Sequence, residues 1–247
     1  MKRYASEHDS SHLTWASDPG PLTPTPAGRD VLWALVCGLG FMIIGAIVGA
    51  FVGLGLFGLA GLWLPVALSG ILGSAGLYWV LVHRRGWGLV EFGFRRGVHS
   101  LAHLIWQAPI LLLLTATATA VVGTSVGLSP AQSDSASTAI SAQPGWMTVL
   151  AVVLFATLVV PLIEEIVFRR VLLDWLMATM PTAVAALTVI VVFALIHIAP
   201  PVMLYMLFFG AALVALRLWY QTLWAPLIYH VLNNAFVAAI AAPAIMA

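Results

Sequence analysis

Between Val31 and Phe57 the chain carries no charged side chain. A run of that length fits a helix that crosses a bilayer, whose hydrocarbon core of ~30 Å needs about 20 apolar residues. Six more apolar runs follow, at 62–82, 101–127, 146–168, 183–198, 202–219 and 223–244. Composition agrees, because 62% of the residues are hydrophobic and 8% charged, against roughly 45–50% and about 25% in globular proteins. The expected class is all-α: a polytopic transmembrane helical bundle of about seven crossings, integral to the membrane and multi-pass.

Residues 1–30 are polar and rich in Ser, Pro, Asp and Thr, with no periodicity that could bury a core, so they read as a disordered cytoplasmic tail. The first apolar run begins too far from residue 1 and is too long for a secretory leader. Residues 31–247 read as one transmembrane helical domain. Gly45, Gly49 and Gly53 recur at four-residue spacing, a stripe that lets another helix approach closely. The connection 83–100 holds Arg84, Arg85, Arg95 and Arg96 against Glu91, whereas 128–145 holds Asp134 and no Lys or Arg. The excess of arginine assigns the first connection, and with it the N-terminus, to the cytoplasm. The basic residues sit in short clusters at segment ends and form no continuous face, which excludes nucleic acid as a partner. A lone Cys37 excludes an intramolecular disulfide.

Against this background Glu164 and Glu165 stand out, adjacent carboxylates at the end of the fourth run. An ionisable side chain at the centre of a membrane helix costs ~2.5–3.5 kcal/mol and survives where it faces protein, water or a partner. Residues four apart share a helical face, so Glu165 pairs with Arg169, while Glu164 lies about 100° round the helix without a local partner. A reading without function makes both glutamates the end of a membrane helix meeting Arg169 and Arg170 at the interface. Asp174, four residues after Arg170, is its simplest partner. Farther on, ionisable residues are scarce: His197, Arg217 and His230. His230 shares a face with Asn234, and Glu165 and His197 lie at equal distances from a break at Pro181, so they can meet across a helical hairpin. Two carboxylates, two imidazoles and a carboxamide suit amide hydrolysis by activated water. They equally suit a proton or cation pathway.

Three motifs give this half of the chain a resemblance to the CPBP intramembrane proteases, the family of the type II CAAX prenyl endopeptidases and of abortive-infection and bacteriocin-immunity proteins. They are "EEIVFR" from Glu164 to Arg169, "FALIH" from Phe193 to His197, and "HVLNN" containing His230 and Asn234. The resemblance places the protease-like core at about 145–247. One departure is Arg170, where the family commonly has Gly.

What the resemblance implies is a catalytic set of Glu164, Glu165, Arg169, His197, His230 and Asn234. Glu164 would activate water with His197 beside it, Glu165 and Arg169 would form a supporting pair, and His230 with Asn234 would stabilise the oxyanion. A zinc version would use Glu164, His197 and His230 as ligands with water in the open position. The His-Glu-x-x-His helix of the common zinc proteases is absent from the sequence. The expected activity is that of an intramembrane endopeptidase acting on a membrane-associated peptide or protein. A scaffold or immunity protein that keeps the fold without proteolysis, and a transporter using a buried Glu and His pathway, are the alternatives.

Overall fold

The computed structural model describes residues 21–128 and 145–246. Each apolar run forms a helix: α1 Gly28–Gly61, α2 Trp63–His83, α3 Leu101–Ser125, α4 Trp146–Met177, α5 Thr182–Leu195, α6 Pro200–Tyr220 and α7 Trp224–Met246. Among the described residues these seven form a helical bundle, and five of them are long and apolar enough to cross a membrane. The helix α5, with 14 residues, spans only about 21 Å at ~1.5 Å per residue. It is carried as a half-length element between the longer α4 and α6, against both of which it packs.

The helix α4 is the hub, in contact with α1, α2, α5 and α7, while α6 packs on α3, α5 and α7. It runs 32 residues, well beyond the 146–168 expected of a single crossing. The cause lies in its polar stretch. All eight residues from Glu165 to Leu172 are buried, and pairing of Glu165 with Arg169 and of Arg170 with Asp174 lets the helix continue through protein. The reading of Glu164 and Glu165 as the end of a membrane helix therefore fails: they lie well inside α4. Over Val152–Val159 and again over Glu165–Leu172 the hydrogen bonding widens to the π pattern, a feature frequent at functional sites.

The α1–α2 hairpin is built on glycine. Gly45, Gly49 and Gly53 are buried against the backbone of Leu68, Pro65 and Gly61. A Cβ on Gly49 would meet Pro65 at 2.6 Å, whereas one on Gly55 would meet nothing within 4 Å. Gly49→Val should therefore lower stability in detergent by about 1–3 kcal/mol, and Gly55→Val by no more than about 0.5 kcal/mol. Equal thermal midpoints for the two variants would remove close backbone approach as the reason for the stripe.

Residues 1–20 of the expected tail lie outside the described residues, as does most of the 128–145 connection. The tail boundary at residue 30 is too late, because Leu22 is 1% exposed and Val31 5%, with α1 already begun at Gly28. The segment is held by an arginine: Arg170 donates from Nη2 to the Pro24 carbonyl at 2.6 Å and from Nε to the Glu91 carbonyl at 2.6 Å. Its guanidinium also lies over the Trp87 ring, 4.7 Å from the centroid. Arg170 thus joins the chain before α1, the basic connection and α4. The connection itself is tied to the end of α6, since Thr222 donates to the Arg95 carbonyl and the Val98 amide to the Tyr220 carbonyl. Backbone N–H groups at Glu91 and Gly88 hold the exposed Glu91 carboxylate below its usual range, so it stays charged beside the arginines.

Candidate active site

Three helices bring the polar residues together. Glu165 on α4 is fully buried and accepts from Arg169 Nη1 at 3.2 Å, the pair expected from their spacing. The same oxygen, Oε1, lies 2.8 Å from Nδ1 of His230 on α7. With Nδ1–H donating to this oxygen, Nε2 is left as the reactive nitrogen of His230. That Nε2 faces Oε2 of Glu164 at 3.6 Å, inside ion-pair range but too far for a direct hydrogen bond. Glu164 makes no other polar contact and its side chain is 12% exposed, so it is the less committed carboxylate of the two.

Phe193 of α5 is the apolar centre of the site. The Arg169 guanidinium lies 4.0 Å from its ring centroid, and this face-on contact covers a group whose Nε and Nη2 have no hydrogen-bond partner. The ring also stands edge-on to His197 at 5.1 Å and to His230 at 6.3 Å. Space for it depends on Gly210 of α6, where a Cβ would press on the Phe193 ring at 3.1 Å.

His197 is placed differently from the expectation. The α5 helix ends at Leu195, and His197 turns its Nδ1 to the Phe193 carbonyl at 2.8 Å. With that nitrogen donating, Nε2 keeps a lone pair and acts as an acceptor in the neutral ring. Among the described residues the carboxylates contact His230 and not His197, so the hairpin pairing of Glu165 with His197 is replaced by a pairing with α7.

Asn234 belongs to a chain of amides that the motif spacing did not reveal. It donates from Nδ2 to the Ala156 carbonyl at 2.9 Å, and its Oδ1 accepts from Asn233 Nδ2 at 3.1 Å. Asn233 in turn accepts from the Tyr205 hydroxyl at 2.5 Å. The carboxamide of Asn234 is thereby fixed in orientation with one of its two N–H donors uncommitted. Asn233 and Tyr205 are site-supporting residues that sequence reasoning missed; the doubled Asn in "HVLNN" was the one signal for the first.

A zinc ion on Glu164, His197 and His230 finds no converging ligand set here. Both ring nitrogens of His230 are turned to carboxylates, and among the described residues no three His, Cys, Asp or Glu side chains gather at one point.

Below the site, toward Met177, lies a second charged cluster. Asp174 accepts from Arg170 Nη1 at 2.7 Å, as expected, and also from Arg217 Nη2 at 2.5 Å, with all three side chains 0% exposed. The Arg217 contact joins α6 to α4 and was not visible in the sequence.

Apolar helices enclosing two carboxylates paired with one imidazole define an integral membrane protein with a buried polar centre. Residues 145–236 match the family model of the type II CAAX prenyl endopeptidases, Rce1-like. That segment contains all three motifs and is similar to the CPBP and CAAX protease family. No curated protein and no solved structure matches the chain.

Proposed function

We propose that this protein is an intramembrane endopeptidase that hydrolyses a peptide bond of a membrane-associated peptide or protein. The observation that carries the reading is the buried Glu165–His230 pair, with Glu164 at the other nitrogen of the same imidazole. Glu164 takes a proton from water as the water attacks the scissile carbonyl. His230, held in one tautomer by Glu165, exchanges protons with Glu164 through Nε2 and delivers one to the leaving amine. Arg169 pairs with Glu165, and Phe193 holds Arg169 in place. The free N–H of Asn234 meets the developing oxyanion. His197, an acceptor at Nε2, orients the attacking water. The arginine-rich end of the bundle, with Arg84, Arg85, Arg95 and Arg96, faces the cytoplasm.

The test is cleavage of a membrane-anchored peptide by the purified full chain in proteoliposomes, with and without chelator. Cleavage that persists in chelator is expected. Activity lost in chelator and restored by zinc would make His197, His230 and a glutamate ligands instead, and proton flux without any cleavage would make the polar centre a transport path. Asn234→Ala should lower turnover about 10²–10³-fold, while the change of an amide bystander would leave turnover near wild type.

A further inference from the structure

An open cleft of about 240 Å³ lies between the first turn of α1 and the last turn of α2, lined by Arg29, Asp30, Trp33, Val80, Arg84 and Arg85. It shares no residue with the polar centre. Asp30, 3% exposed at its side chain, neutralises one of the three arginines through a 2.6 Å contact to Arg85. Arg29 and Arg84 carry no such partner among the described residues, and both are exposed. Arg84 lies over the Trp79 ring, 5.0 Å from the centroid, which holds its charge at the mouth of the cleft. The walls change character one helical turn farther along: Trp33 follows Arg29 on α1, and Val80 precedes Arg84 on α2. Val80 is a buried wall of the cleft, 3% exposed, while on α1 the surface stays apolar and open, with Trp33 43% and Val36 46% exposed. Two uncompensated guanidiniums above an apolar trough, at the end of two membrane helices, match a phosphate group carrying a hydrocarbon tail.

We propose that this cleft binds the headgroup phosphate of an anionic phospholipid, with an acyl chain laid along Trp33 and Val36 of α1. The shared chemistry is a phosphate, so a soluble phosphate is the competing source. The full-length protein, reconstituted in phosphatidylcholine bilayers containing a minority of phosphatidylglycerol and released into mild detergent, is weighed by native mass spectrometry. Wild type should retain phosphatidylglycerol in preference to phosphatidylcholine. Arg29→Gln and Arg84→Gln should each weaken retention about fivefold, and the two together about 25-fold. Both variants keep the Asp30–Arg85 pair, and an unchanged thermal midpoint in phosphatidylcholine alone shows that they fold. Equal retention by wild type and the double variant would overturn the assignment. If millimolar inorganic phosphate strips the lipid from wild type, the site is one for soluble phosphate and the lipid assignment falls.

Discussion

Glu164→Gln should leave a folded, membrane-inserted protein whose peptidase turnover is about 10²–10⁴-fold lower. The amide keeps the shape of the side chain and cannot take a proton from water. Stability should hold because Glu164 makes no hydrogen bond among the described residues, and His230, 3.6 Å from it, is held independently by Glu165 at 2.8 Å. The comparison that sharpens the result is Glu165→Gln, which weakens contacts to both Arg169 and His230 and should lower the thermal midpoint in detergent as well as activity. Near wild-type turnover for Glu164→Gln would transfer the role of base to another group.

Asp174→Asn should have the largest effect on stability, about 3–5 kcal/mol, read as a lower unfolding midpoint in detergent. Among the described residues its carboxylate is the one anion paired with both Arg170 and Arg217, and all three side chains are removed from solvent. Neutralising it leaves two buried cations against each other. Arg217 already has Nε and Nη1 without partners, so it has no alternative contact to fall back on. If Asp174→Asn melts with wild type, the cluster does not hold α4 to α6, and the junction rests on apolar packing alone.

Local spacing made the two pairs within α4 legible, Glu165 with Arg169 and Arg170 with Asp174, because partners four residues apart on a helix meet whatever surrounds them. The seven helices were legible for the same reason, since a long apolar run has few alternatives in a membrane. Contacts between helices were another matter. The pairing of Glu165 with His197 assumed two regular arms of equal length from Pro181. Widened hydrogen bonding over Glu165–Leu172 changes the rise and angular step of one arm, and the other stops at Leu195. His230, 65 residues from Glu165 in sequence, takes the place beside the carboxylate. Neither Arg217 nor Tyr205 advertises its role, because each acts through a partner that the tertiary packing alone supplies.

The three-way hold of Arg170 bears on how the protein is made. A membrane chain is synthesised from its N-terminus, so α1, α2 and α3 emerge before α4. Arg170, 146 residues beyond Pro24 and 79 beyond Glu91, reaches both carbonyls only once α4 has been delivered. The leading segment thus waits through the synthesis of three helices, and the arginine-rich connection through that of α3, before they acquire their final anchors. The residue that fastens them lies five positions after Glu165, so the helix that completes the first half also delivers the carboxylates on which His230 of α7 later closes.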